Sequence, residues 1–240
     1  VTGPEPSGPS GAGGPHAFVA DLDRPDLDDH DRHHFERVVR LRGGDALTVS
    51  DGRGGWRSCR FGDELEPVDE VAFVARPEPA VTVAFALVKG ERPEWVTQKL
   101  TELGVDTIVP FTAARSVVRW DDRKAAANRD RLERVAREAA MQSRRCWLPE
   151  VAPVSTFAGV AALPGAVRSD RGGVPLTLRA PTVLVGPEGG WTDDERDALP
   201  AVGLGVQVLR ADTAAVVAGA LLTALRAGLV APAPTRSLQG

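Results

Sequence analysis

The chain has 240 residues, 42% of them hydrophobic, and a formal net charge of −4. That composition supports one large domain or two modest ones with a real core, and no apolar run is long enough for a membrane span. Two cysteines, Cys59 and Cys146, lie far apart with no CxxC and no histidine cluster nearby, which argues against a disulfide or zinc framework and fits a reducing cytoplasm.

In chain order, Val1 to Pro15 shows neither the basic start nor the apolar stretch of a secretory signal. Residues 3–15 are rich in Gly, Pro and Ser, so residues 1–15 are expected to be a disordered leader. Residues 16–76 read as short strands at 18–22, 46–50, 56–61 and 68–75, punctuated by Asp51-Gly52 and Gly54-Gly55. One short helix is expected near 31–41, and a small β-barrel fits this spacing. Arg76-Pro77-Glu78-Pro79 marks a linker.

From residue 80 to about 230 strands and helices alternate, which predicts a three-layer α/β domain. Residues 81–88 form a near-continuous apolar strand. A helix follows from Pro93, carried by Val96, Leu100 and Leu103 and closed by Gly104. Short strands are expected at 107–111, 116–118, 182–185 and 206–209. A helix is expected over 128–145. Thr192 and Glu195 form a capping box, placing another helix at 193–199. The helix at 213–227 is apolar almost all round and must be buried in the core or against a subunit.

Two segments carry chemistry. In the first, the strand at 182–185 runs into Gly186-Pro187-Glu188-Gly189-Gly190. Glycines let a ligand or another stretch of backbone approach closely, although a tight turn alone would also use them. No Gly-Lys-Ser/Thr follows and the glycine spacing is not that of a dinucleotide fingerprint, so a phosphate cradle is disfavoured. In the second, Leu204 to Ala214, a strand is expected to end in Arg210, Asp212 and Thr213. Ligands gather at the carboxyl ends of strands in α/β sheets, although each residue alone also reads as a helix cap, a dipole partner or a solvated cation.

Together VGPEGGW (185–191) and LGVQVLRADTA (204–214) resemble the 16S rRNA uracil-N3 methyltransferases, which are SPOUT enzymes. Lys89-Gly90, the run from Gln98 to Val105, Glu138 to Arg145, Arg37 to Asp45 and Asp51-Gly52 match the same family in register, and the resemblance covers roughly residues 16–228. It implies a SPOUT-type α/β trefoil-knot methyltransferase domain preceded by a small PUA-like β-barrel. It also implies a cytoplasmic homodimer that binds S-adenosylmethionine and methylates N3 of one uridine near the 3′ end of small-subunit rRNA. The cofactor residues it implies are Leu184, Gly186, Pro187, Glu188, Gly189, Gly190, Leu204, Gly205, Leu209, Arg210, Thr213 and Ala214. In a knot these glycines would also let backbone thread past backbone. The family's N-terminal arginine is replaced here by the Pro15-His16-Ala17 segment, which makes His16 a candidate for holding the base.

Methyl transfer needs no metal, and none is expected. Uracil N3–H is weakly acidic, so the enzyme must stabilise charge on the ring carbonyls or supply a base. Arg210 is the candidate for charge stabilisation, with a phosphate grip as the alternative; Glu188 and Asp212 are weaker candidates for the base. Between residues 115 and 145 nine Arg and one Lys face five Asp/Glu; Arg129, Arg137, Arg144 and Arg145 can face outward, although a solvated helix face with internal ion pairs such as Asp130–Arg134 fits equally well. With Arg37, Arg40, Arg42, Lys89, Lys99 and Gln142, residues Arg144 and Arg145 are the candidates for RNA contact. The alternatives are a SPOUT enzyme acting on a ribose or another base, and a silent RNA-binding protein of the same fold.

Overall fold

The structure is a computed structural model that describes residues 8–90 and 92–231. It divides into two compact units, Val1–Arg76 with Arg137–Leu148, and Pro77–Ala136 with Pro149–Gly240. The expected disordered leader lies outside the described residues over 1–7. Pro9–Gly11 forms a 3-10 turn, and the Arg144 guanidinium donates to the carbonyls of Pro9 (3.0 Å), Ala12 (2.6 Å) and Gly14. Those bonds order a segment whose own composition provides no core.

The first unit is a five-stranded sheet of β1 (His16–Phe18), β2 (Ala46–Ser50), β3 (Gly55–Arg60), β4 (Glu66–Pro67) and β5 (Ala72–Phe73). β1 pairs parallel with β2; the other pairings are antiparallel. Helix α1 (Asp29–His34) is capped by Asp28, which accepts from Asp31 N at 2.8 Å, and passes into a π turn that ends at Arg40 with φ 62°. Ala17, Phe35, Leu47, Val49, Cys59 and Phe61 form the core. Of the strand expected at 68–75 only β5 forms, and β4 ends just before it. Between them Asp69 accepts from Ser58 N at 2.8 Å, so a side chain takes the place of a ladder carbonyl, and Val68 and Val71 stay exposed.

The second unit is a seven-stranded parallel sheet in the order β12-β10-β11-β6-β7-β8, with β9 also pairing β7. The strands are β6 (Thr82–Ala86), β7 (Thr107–Thr112), β8 (Glu150–Val151), β9 (Ser155–Thr156), β10 (Ala166–Pro175), β11 (Thr182–Val185) and β12 (Ala201–Gly203). The helices are α2 (Arg92–Leu103), α3 (Asp122–Gln142), α4 (Phe157–Ala161), α5 (Asp193–Ala198) and α6 (Ala211–Arg226). Strand side chains alternate between faces. Val83, Phe85, Val183 and Val185 therefore pack with Leu100 of α2 and Ala218 and Leu222 of α6, while Ala84, Ala86 and Leu184 pack with Phe111, Val160 and Trp191 on the other face. α2 and α6 approach closely at Gly219, where a Cβ would stand 2.6 Å from the Leu100 side chain. Buried Asp106 accepts from Val81 N and pairs with Arg226, which also donates to Gly104 O.

Several expectations are corrected. Residues 116–118 form no strand, and α3 starts earlier and ends sooner than 128–145. The strand expected at 206–209 is a loop: β12 has already ended at Gly203, and Val206 and Val208 are 91% and 73% exposed. Its alternating apolar pattern has no strand to pair with. β8, β9, α4 and β10 were not foreseen.

Candidate functional site

Two loops close around one crevice of about 440 Å³ at the carboxyl end of β11. The first follows β11. Gly186 is required there, because a Cβ would lie 2.8 Å from the Trp191 ring. Gly190 takes φ +71° and its N–H bonds Pro187 O at 2.8 Å, which turns the chain toward α5. Trp191 is buried, stacked on Phe111, and donates from Nε1 to Ser169 O at 3.0 Å, tying this loop to β10. The capping box forms: Thr192 Oγ1 accepts from Glu195 N, and Glu195 Oε2 accepts from Thr192 N at 2.9 Å. The second oxygen of Glu195 accepts from Ala114 N at 2.8 Å, so one buried carboxylate also holds the turn after β7. Arg115 donates to Gly189 O at 3.2 Å.

The second loop, 204–210, leads from β12 into α6, whose N-cap is Arg210. Among the described residues, no backbone hydrogen bond is made by 204–209, leaving a row of donors and acceptors for a ligand edge. Arg92, at the start of α2, links the first loop to the first turn of α6: it stands 3.3 Å from Glu188 and 3.6 Å from Asp212. Leu204, Leu209, Ala211, Ala214 and Val185 give the crevice an apolar wall, and Asp170, Glu188, Arg171 and Arg210 stand as charges around it.

Nine of the proposed cofactor residues line this crevice: Gly186, Pro187, Glu188, Gly190, Leu204, Gly205, Leu209, Arg210 and Ala214. Leu184 does not; it is fully buried in the apolar layer beneath. Gly189 faces Arg115, and Thr213 is exposed on α6. Sequence reading missed Ser169, Asp170 and Arg171, which lie on β10, as well as Trp191 and Gln207. No local pattern marks β10 as part of the site; only its place between β11 and β12 brings it there. The close backbone crossing expected in the glycine loop lies instead at Gly173, where a Cβ would meet Val202 C at 2.4 Å.

Glu188 is held by Arg92, whereas Arg210 is exposed and its side chain makes no hydrogen bond or ion pair among the described residues. His16 does not face solvent. It is 2% exposed, its Nδ1 lies 2.8 Å from Thr48 Oγ1, and burial pushes its pKa down to about 4. It is a neutral core histidine, not a base holder. The arginines of α3 and of the turn after it are also redirected. Arg137 is paired with nearly buried Asp31 at 2.5 Å, Arg129 with Glu133 at 3.0 Å, and Arg144 holds the N-terminal carbonyls. Lys99 is paired with Glu102 at 2.8 Å. Arg37, Arg40, Arg42, Lys89 and Gln142 are exposed, and Arg145 is half-buried. No group of three or more metal-ligating side chains occurs among the described residues.

Comparison with known proteins gives concordant matches. A family model described as an RNA methyltransferase domain matches residues 76–223, and one described as an RNA methyltransferase PUA domain matches residues 27–64. The chain is 33% identical over 215 residues to the ribosomal RNA small subunit methyltransferase E of Bacillus subtilis, covering 76% of this chain and 82% of that protein. It is 38% identical over 220 residues to the Synechocystis protein of the same name, covering 80% and 70%. The crystal structure of the Neisseria gonorrhoeae enzyme of that name, bound to S-adenosyl methionine, superimposes with a TM-score of 0.75 at 27% identity, covering 88% of this chain and 97% of that one.

Proposed function

The chain belongs to the ribosomal RNA small subunit methyltransferase E family, a SPOUT-type α/β fold behind a PUA-like domain, and from that premise we propose that it methylates N3 of a uridine near the 3′ end of small-subunit rRNA using S-adenosylmethionine. The observation that carries this is the convergence of the two loops, near 188 and 210, on a single crevice.

The crevice fits the cofactor. Its volume of about 440 Å³ falls in the usual range for small-molecule sites. Its apolar wall suits an adenosyl group, and the unpaired backbone of 204–209 suits an adenine edge. Glu188 and Asp170 line it as carboxylates, each paired with an arginine (Arg92 and Arg168), and would suit a ligand that carries cationic groups. Bound there, the cofactor supplies an electrophilic methyl group.

The chain's own residues then have three tasks. Trp191, Glu195 and Arg92 fix the loops so that the reacting atoms are held in line. N3 lies on the pairing edge of uracil, so the target must be unpaired or extruded. As the N3 proton leaves, negative charge spreads over the two ring carbonyls, and the planar donor fork of Arg210 is shaped to receive it. Glu188, already paired with Arg92, serves better as an anchor than as the base. Arg37, Arg40, Arg42 and Lys89 remain exposed for phosphate contact, giving binding that weakens with salt. The incompletely buried flank of α6, with Val216, Val217 and Ala220, supports a homodimer. No helix among the described residues is long and apolar enough to cross a membrane, and a cytoplasmic setting follows from the rRNA substrate.

The test is nucleoside mass spectrometry after incubation with S-adenosylmethionine and unmodified small-subunit rRNA, free or in assembled subunits. 3-Methyluridine is expected. Methyl on a ribose or another base would overturn the N3 assignment, and absence of cofactor binding in calorimetry would leave a silent RNA-binding protein.

A further inference from the structure

A second cavity of about 300 Å³ in the α/β unit is lined by Val88, Lys89, Glu94, Trp120, Lys124 and Arg131, among others. It gathers the segment after β6, the segment after β7, the first turn of α2 and the first half of α3, again at the carboxyl ends of parallel strands. Its chemistry is specific. Lys89 and Lys124 are exposed and make no ion pair among the described residues. Arg131 is neutralised by Glu94 Oε1 at 3.1 Å. Glu94 Oε2 is buried with no partner among the described residues, an acceptor that a tightly packed protein rarely leaves unsatisfied. Trp120 adds a flat apolar face.

We infer that this cavity is a subsite for one unpaired nucleotide flanking the target, its base stacked on Trp120, its phosphate held by Lys89 and Lys124, and a base N–H received by Glu94 Oε2. The inference rests on the reading of RNA as substrate. Arg92 and Glu94 lie two residues apart in the first turn of α2. One reaches the rim of the cofactor crevice while the other reaches this cavity, so a strand threading both would place neighbouring nucleotides in them. Stacking on an aromatic ring is sequence-tolerant, while a carboxylate prefers a base edge bearing an amine, as guanine does.

The test uses the full chain and two readouts. In methylation of small-subunit rRNA at saturating S-adenosylmethionine, Trp120→Ala should raise KM for RNA roughly tenfold, as expected for one lost stack. Trp120→Phe should recover most of that loss, and Trp95→Ala, on an exposed ring outside the cavity, should leave KM unchanged. Separately, titration with GMP should quench tryptophan fluorescence, with UMP about tenfold weaker and inorganic phosphate weaker still. The quench should vanish in Trp120→Phe if that indole is the reporter, and the GMP preference should vanish in Glu94→Gln. An unchanged KM in a folded Trp120→Ala protein, or a GMP quench that persists undiminished in it, overturns the subsite. If the wild-type protein methylates no rRNA, the functional reading fails instead, and the GMP titration still decides the subsite.

Discussion

Arg210 and His16 show how differently two polar residues beside apolar segments can be used. Arg210 has the N-cap position of α6 and an exposed guanidinium with no partner among the described residues, so its side-chain donors are free for a developing anion. Arg210→Ala should lower kcat by roughly a hundredfold or more, the usual loss for one charge-stabilising donor, while the cofactor Kd from calorimetry changes little. Equal losses in both would assign Arg210 to cofactor binding. His16 is closed off beside Thr48, and desolvation lowers its pKa from 6.5 to about 4. Between those values the unfolded chain binds a proton that the folded chain does not, so stability rises with pH there. The contribution is fully present above about pH 6.5 and is lost as pH falls toward 4, by up to about 3 kcal/mol. Denaturant melts across that window should show a shallower acid slope in His16→Gln. The sequence marks both residues as polar positions beside apolar strands; burial alone separates them.

At the scale of elements, the capping box at Thr192 and Glu195 was legible because its spacing is local. Its second use was not. Glu195 also receives Ala114 N from the turn after β7, 81 residues away in sequence, and no local rule reports such a contact. Glu195→Gln keeps one acceptor but loses charge-assisted bonding at both ends, which costs about 1–2 kcal/mol. The expected outcome is a lower melting temperature together with weaker cofactor binding, since the Gly186–Gly190 loop and the 113–116 turn would no longer share an anchor. A drop in stability with unchanged cofactor affinity would show that the anchor does not reach the crevice. The loop at 204–210 makes the opposite point. Leu204, Val206 and Val208 carry strand-like alternation, yet a strand needs a partner, and β10 is already occupied by β12 and β11.

At the scale of the whole molecule, the site depends on β10 lying between β11 and β12, although it precedes both in the chain. Its register with β12 breaks between Ser169 and Val174, and there Gly173 passes against the backbone of Val202. A methyl at 173 would meet main chain 2.4 Å away, which cannot rotate aside. Gly173→Ala should therefore lose about 3 kcal/mol in denaturant unfolding, the cost of overpacking, with Gly43→Ala, where a Cβ meets nothing within 4 Å, as the control. Equal stability of the two variants would remove the crossing as a constraint.

The linear chain was sufficient to announce an α/β unit behind a small β unit and to locate both loops of the crevice, because apolar periodicity, glycine punctuation and helix caps are written within a few residues of one another. It was silent on β10, on the bridge from Arg92 to Glu188 and Asp212, and on which arginines of α3 face solvent. Those depend on segments 20 to 120 residues apart meeting in space, and the energy of a contact belongs to the pair, so neither member carries a local trace of it.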